Sequence, residues 1–148
     1  MKAHIRVIAI GIFMHEARML VLEGRDPYDG RVFYRPLGGG VEFGERGSEA
    51  LARELHEELG TEIVEATYVG TLENIFTYNS EPHHEIVLVY RARFVDAHVY
   101  DVRSAAFHEH DGTPFLALWR SLDAFRRGGP PLYPDGLLAM LTGATKQP

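Results

Sequence analysis

A glycine-rich segment that runs into an acidic helix constrains this chain more than any other part of its sequence. Residues 38–40 are all glycine, and the spacing of apolar residues predicts a helix over residues 48–59. Ser48 is a suitable N-cap, and Gly60 stands where a left-handed residue commonly follows the last turn. A tight glycine turn is therefore joined by a short loop to a capped amphipathic helix.

The predicted helix carries three carboxylates on one face. Glu54, Glu57 and Glu58 are spaced i, i+3 and i+4, so a turn of about 100° per residue places them within one arc. Like charges at this spacing destabilise a helix by a few tenths of a kcal/mol per pair, and the helix dipole disfavours anions in the last turn. Such conflicts are concentrated at functional sites, and a hard divalent cation held by carboxylate oxygens would resolve this one.

The composition is that of an ordinary globular protein. Its 148 residues predict a single domain over residues 1–148, with a core large enough to fold without disulfides. The net charge of −6 argues against stable binding to nucleic acid or to an anionic membrane, because both require a basic surface. Cysteine is absent, which excludes zinc–thiolate chemistry. No signal peptide or membrane span is predicted, so we expect a cytoplasmic protein.

Apolar and alternating segments predict a mixed sheet flanked by helices. Residues 5–13 and 18–22 predict a hairpin, and two longer strands are expected over residues 67–78 and 85–95. The apolar run at residues 86–90 is typical of a central strand.

Shorter elements complete the predicted pattern. Further strands are expected over residues 32–34, 97–102 and 115–119. Ser121 is an N-cap candidate for a short helix that ends near residues 128–129, and residues 135–141 predict a last helix.

The glycine segment and the acidic helix together resemble a known family motif. Residues 39–61 match the Nudix box, G-x5-E-x7-R-E-U-x-E-E-x-G-U, in which U is a bulky aliphatic residue. Leu55 fills the first aliphatic position, whereas Thr61 replaces the second. So many residue types at set spacings make this match far more specific than a lone glycine motif.

The resemblance implies a fold and a reaction. The implied fold is an α/β/α sandwich with a central mixed β-sheet, and the implied reaction is hydrolysis of a diphosphate linkage in a nucleoside diphosphate derivative by metal-activated water. The implied cofactor is Mg²⁺ or Mn²⁺, since oxygen ligands suit these hard ions. The partner is expected to be a small nucleotide, and a homodimer is a family-level expectation.

Besides an acidic helix that merely holds a structural cation, two alternative functions stay open from the sequence. One is a pyrophosphatase that removes unwanted nucleoside or deoxynucleoside triphosphates. The other is a Nudix-like nucleotide-binding module that has lost turnover, although the complete set of acidic motif residues argues against it.

The resemblance also implies roles for the motif residues. Glu54, Glu57 and Glu58 match the metal-binding and base-positioning carboxylates, and Glu54 or Glu57 is expected to orient the attacking water. Arg53 matches the helix arginine and precedes Glu57 by four residues, so it can pair with that carboxylate. Glu45 matches the glutamate ahead of the helix, where it would bind metal indirectly or tie the loop to the helix.

The three glycines are expected to serve the same site. They allow a tight turn that brings backbone carbonyls near the metal. Gly38 is the candidate for that metal contact, and Gly39 and Gly40 are candidates for substrate contact.

Other candidates depend on position alone. Family members often supply a later carboxylate as base or metal ligand, and the candidates here are Glu85, Glu109 and Asp111. For each of them a solvated loop residue is the simpler interpretation. Glu85 is favoured because it begins a predicted central strand. Arg35 is a candidate for phosphate binding and Tyr34 for base stacking. Weaker candidates of the same kinds are Phe33, Tyr78 and Arg91.

Overall fold

The computed structural model describes residues 3–108 and 114–143, and this part of the chain forms two β-sheets with three α-helices. The strands are β1 (Ile5–Ile12), β2 (Met14–His15), β3 (Arg18–Arg25), β4 (Val32–Arg35), β5 (Leu37–Gly40), β6 (Ile63–Tyr78), β7 (Glu81–Phe94), β8 (Ser104–His108) and β9 (Pro114–Ser121). The helices are α1 (Gly47–Leu59), α2 (Leu122–Arg126) and α3 (Leu137–Thr142), and a 3-10 helix spans Ala97–Asp101.

The first sheet is mixed and has the strand order β5-β1-β7-β6. Strand β1 runs parallel to β7 and antiparallel to β5, while β6 and β7 form a long antiparallel hairpin. The predicted central strand is confirmed, because β7 lies between two partners and Val87 and Val89 are fully buried. The hairpin turns at Asn79 and Ser80, both with positive φ, which is the conformation of a two-residue hairpin loop.

The second sheet is antiparallel and has the order β2-β3-β9-β8, with β4 paired to β3. The predicted hairpin between residues 5–13 and 18–22 is wrong in its main part. Strand β1 belongs to the first sheet, and the hairpin is limited to Met14 and His15, which pair with the start of β3, and to a 3.1 Å hydrogen bond from the N–H of Leu20 to the carbonyl of Phe13. The chain crosses between the sheets at Phe13, whose ring is fully buried and stacks on Phe94 with a centroid separation of 4.1 Å.

Both faces of the mixed sheet are covered, which confirms the predicted α/β/α sandwich. On one face α1 packs through Ala50, Leu51 and Leu55. On the other face Phe125 of α2 and Leu137 of α3 join a second buried cluster that contains Ile10, Ile12, Val87 and Val89. The second half of β1, residues 9–12, is apolar and buried on both faces, whereas its first three residues are exposed.

Two predictions beyond the mixed sheet have opposite outcomes. The strand predicted over residues 97–102 is wrong: this segment is a 3-10 helix whose first turn is held by Asp96, which accepts a hydrogen bond of 2.9 Å from the backbone N–H of His98. Ser121 does cap α2, because its hydroxyl accepts a hydrogen bond from the N–H of Asp123. Within the described ranges, no helix is long and apolar enough to cross a membrane.

Candidate active site

The helix α1 begins earlier than predicted and ends as predicted. Its N-cap is Arg46 rather than Ser48, and the N–H of Arg46 donates a 2.8 Å hydrogen bond to the side chain of Glu49. Gly60 adopts the left-handed conformation with φ of 64° and donates its N–H to the carbonyl of His56.

Arg53 joins this helix to the loop before it. Its Nε and Nη2 atoms donate to the two carboxylate oxygens of Glu45 at 2.8 and 3.0 Å, and Nη2 also donates to the carbonyl of Gly40 at 2.9 Å. These charge-assisted hydrogen bonds lower the pKa of Glu45 to about 2, with a further contribution from the N–H of Glu42. The structure thus places Glu45 where it ties the loop to the helix.

The same guanidinium faces several other carboxylates. Its Nη1 atom lies 3.1 Å from Glu54, 3.5 Å from Glu57 and 3.9 Å from Glu42. The expected Arg53–Glu57 pair is present, but it is longer than the contact with Glu45. Four carboxylates therefore surround one positive charge in this part of the described chain, which leaves an excess of negative charge.

Two glycines of β5 let the sheet approach this acidic cluster closely. A Cβ atom on Gly39 would overlap the carboxylate of Glu54, with its oxygens only 2.6 and 2.7 Å away. Gly38 has a φ of 147°, and a Cβ there would overlap the carbonyl oxygen of Ala9 on the neighbouring strand. Gly39 thus makes room for the Glu54 carboxylate beside β5, whereas Gly38 is required by the close pairing of β5 with β1.

The donor set fits a magnesium-type ion. Among the side chains of residues 3–103 and 115–143, no three Asp, Glu or His groups converge into a closed metal cage. Mg²⁺ does not need one, because it usually keeps several waters and takes one or two protein carboxylates together with substrate phosphates. Buried Glu54 and half-buried Glu58, whose Oε2 atom is shielded from solvent, offer oxygen ligands of this kind.

A cleft of about 720 Å³ opens beside the acidic cluster. Gly39, Gly40 and Glu54 lie at one end of it, and Glu85 lies within it. Only 13% of the Glu85 side chain is exposed, and its carboxylate lies 3.6 Å from the guanidinium of Arg6. Burial raises the pKa of Glu85, and the nearby positive charges oppose that rise in part.

The far end of the cleft is aromatic. The ring of Phe76 stacks on those of His83 and Tyr133, with centroid separations of 5.1 and 6.5 Å. Phe33 makes contacts of 6.0 Å with the rings of Tyr78 and Tyr133. Sequence reasoning missed Phe76 and Tyr133 as cleft residues, since nothing local distinguishes an aromatic side chain in a cleft from one in a core.

The structure separates the predicted substrate contacts. Arg35 lines the cleft, and its guanidinium lies 4.8 Å from the ring centroid of Phe115. Tyr34 does not: it is buried in the second core, where its hydroxyl lies 3.0 Å from Glu23. The reason is the alternation of β4, which directs Phe33 and Arg35 to one side and Tyr34 to the other.

Three remaining candidates lie elsewhere. Arg91 is exposed on β7 and does not line the cleft. Glu109 and Asp111 lie outside the described residues.

Comparison with known proteins agrees with the fold and the motif. The model of the NUDIX domain family matches residues 2–135, so the chain belongs to the NUDIX family. Members of this family hydrolyse pyrophosphate bonds in small nucleotide substrates, and the chain is accordingly a hydrolase acting on phosphoric anhydride bonds.

Solved structures of low sequence identity share the fold. A NUDIX hydrolase from Nitrosomonas europaea is 16% identical with a TM-score of 0.66, covering 95% of this chain and 88% of that one. A MutT NUDIX hydrolase from Burkholderia pseudomallei is 24% identical with a TM-score of 0.61 and coverage of 93% and 97%. A MutT protein from Methanosarcina mazei is 18% identical with a TM-score of 0.63 and coverage of 97% and 94%.

Proposed function

We propose that this chain is a single-domain, divalent-metal-dependent hydrolase that cleaves the diphosphate linkage of a nucleoside diphosphate derivative. The observation that carries the proposal is the cluster of four carboxylates around Arg53, one of which, Glu54, lines a cleft that also contains aromatic side chains. Excess negative charge would repel a diphosphate, so a bound cation is needed to bring the two together. A cytoplasmic location and a homodimer remain predictions attached to this proposal.

The helix carboxylates have distinct tasks in this proposal. Glu54, Glu57 and Glu58 hold Mg²⁺ or Mn²⁺, and Glu54 or Glu57 orients the attacking water. A divalent cation held by these carboxylates would supply charge neutralisation for the phosphate oxygens and would make water easier to deprotonate. Arg53 acts as a positioning residue, since it fixes the orientation of Glu54 and ties Glu45 to the helix.

Substrate contacts come from the cleft. Arg35 is assigned here to a phosphate group because it lines the cleft, and Gly39 and Gly40 are assigned to substrate contact because their backbone lines the same cleft without side chains. The aromatic end offers a stacking surface for a nucleobase. Removal of nucleoside triphosphates is the alternative activity, and it would use the same acidic cluster.

The test is a panel of nucleoside triphosphates, nucleotide sugars, dinucleoside polyphosphates and ADP-ribose, assayed with Mg²⁺ or Mn²⁺ and with the products identified. We expect turnover that requires the metal and a decrease in kcat of at least about 10²-fold in Glu54→Gln, the scale of a lost catalytic base. The matched control is Glu73→Gln, because Glu73 is exposed on β6 and outside the cleft. Metal-independent turnover, or full activity in folded Glu54→Gln, would contradict the proposed site.

A further inference from the structure

One row of polar side chains crosses the floor of the cleft. Glu85 on β7 is directly opposite Arg6 on β1 and Asn74 on β6, so the three side chains lie on one face of the mixed sheet. Neighbouring strands are about 4.8 Å apart, and the row therefore spans roughly 10 Å from Arg6 to Asn74. Asn74 is buried and only 13% of the Glu85 side chain is exposed, whereas half of the Arg6 side chain is exposed. Burying polar groups is costly unless they have partners, so Asn74 and Glu85 call for an explanation.

The first unusual member of the row is Asn74. Its exposure is only 4%, and its Oδ1 atom accepts a hydrogen bond of 3.3 Å from the backbone N–H of Asp135. Because the N–H of Asp135 needs an oxygen acceptor, the Oδ1 atom of Asn74 faces Asp135 and the NH₂ group of Asn74 points away from it. Among the described residues this NH₂ group has no acceptor, and Asn74 lines the cleft.

The second unusual member is Glu85. The nearest cation to its carboxylate is the guanidinium of Arg6, which lies 3.6 Å away and forms an ion pair with it but no hydrogen bond. No residue in the described part of the chain donates a hydrogen bond to this carboxylate. Partial burial of a carboxylate that accepts no hydrogen bond from the described residues carries a desolvation cost in the free protein, although the open cleft leaves the Glu85 oxygens some access to water. A ligand that supplies those donors would remove this penalty.

The row also connects the two ends of the cleft. A Cβ atom on Gly40 would lie 3.2 Å from Nη2 of Arg6, and Arg6 and Gly40 also line a second cavity of about 600 Å³ that contains Arg53 and Glu57. Next to the other end of the row lies Phe76, two residues beyond Asn74 on the same face of β6. A ligand with its phosphates near Arg6 would therefore place its nucleoside over Glu85 and Asn74.

We propose that Asn74 and Glu85 form a specificity-determining subsite, which binds a substrate group that offers two hydrogen-bond donors beside an acceptor. The two carboxylate oxygens of Glu85 accept the pair of donors, and the NH₂ group of Asn74 donates to the acceptor. The inference rests on the proposed function, because it takes the ligand to be a nucleotide.

Two parts of a nucleotide carry this chemistry. The edge of guanine offers a ring N–H and an amino group beside a carbonyl oxygen, whereas adenine and uracil each offer one such donor position. The 2′,3′-diol of ribose offers two hydroxyl groups that also accept. Inosine lacks the amino group of guanosine, and a 2′-deoxynucleotide lacks one hydroxyl, so the two sources can be tested separately.

The experiment is calorimetric binding of GDP, IDP and dGDP to the full chain in the presence of Mg²⁺, with wild type and Glu85→Gln. If the subsite binds the guanine edge, the Kd of IDP should be about tenfold higher than that of GDP. If it binds the ribose diol, the Kd of dGDP should be about tenfold higher than that of GDP. Tenfold is the scale of one hydrogen bond to a charged group. In Glu85→Gln the ratio of that ligand's Kd to the Kd of GDP should fall towards one, whereas Glu73→Gln should keep the wild-type ratio. Kd values within twofold for all three ligands in wild type, or no measurable binding of GDP, would overturn the inference.

Kinetic measurements distinguish a specificity role of Glu85 from the role of general base or metal ligand that the sequence also suggested for it. A lost base lowers kcat for every substrate and leaves the Kd ratios unchanged, which would also overturn the inference. Asn74→Asp is the second variant: it keeps an acceptor for the Asp135 N–H but removes the NH₂ donor, so it should weaken binding of GDP in a protein that still folds. Metal-dependent turnover on the substrate panel tests the proposed function independently of these ratios.

Discussion

At the scale of single residues, Gly39 decides how closely Glu54 can approach the sheet. A Cβ atom there would overlap the end of the Glu54 side chain, which is flexible enough to move without disturbing the backbone. We therefore expect Gly39→Ala to fold but to displace this carboxylate. The expected result is a decrease in kcat of about 10- to 100-fold, the usual effect of disturbing the surroundings of a metal ligand. Unchanged kcat in folded Gly39→Ala would show that the position of Glu54 does not limit the reaction.

Thr61 is a second residue with a local consequence. It stands where the family motif has an aliphatic residue, its exposure is 7%, and its hydroxyl has no hydrogen-bond partner among the described residues. Replacing such a group by an isosteric apolar one removes a desolvation penalty of about 1 kcal/mol. We expect Thr61→Val to raise Tm by roughly 2–4 °C in a thermal melt.

The matched control for Thr61→Val is Thr67→Val. Thr67 is exposed and donates to the carbonyl of Glu65 at 3.2 Å, so its replacement should give no gain in Tm. An equal rise in both variants would attribute the effect to the change from threonine to valine in general rather than to loss of the buried hydroxyl.

At the scale of elements, the Glu45–Arg53 pair fastens the loop after β5 to helix α1. Because the pKa of Glu45 falls from its ordinary 4.5 to about 2 on folding, the pair contributes stability fully above pH 4.5 and loses it as pH falls through 2. We expect Glu45→Gln to lower Tm by a constant amount from pH 7 to 5. The difference from wild type should shrink below pH 4.5, as measured by melts across this range. A difference that persists unchanged at pH 2 would contradict the ion-pair origin.

Elements were predictable where their signals are local. The end of α1 at Gly60 and the cap of α2 at Ser121 follow from side-chain and backbone chemistry within a few residues. The partners of β1 were not predictable, because its pairing with β5 and β7 joins residues far apart in the chain. The segment Ala97–Asp101 has strand-like composition, yet the hydrogen bond from His98 N–H to Asp96 turns it into a 3-10 helix.

At the scale of the whole molecule, the proposed metal site links cation binding to folding. The excess of carboxylates around Arg53 exists only in the folded chain, so a cation should bind the native state in preference to the unfolded one. Mg²⁺ at 100 times its Kd would then stabilise the protein by about 2.7 kcal/mol. We expect Tm to rise with Mg²⁺ after chelator treatment, and to rise much less in Glu54→Gln. Equal shifts in both proteins would place the cation elsewhere.

The sequence by itself determined the family, the reaction class and the register of the acidic helix. It could do so because Glu54, Glu57 and Glu58 are set on one arc by covalent spacing alone. Only the tertiary structure decided which side chains form the cleft. Arg6, Glu85 and Asn74 become neighbours through the pairing of three strands, and Tyr34 leaves the site because the register of β4 turns it into the core. These relations depend on contacts between distant parts of the chain, and no local pattern encodes them.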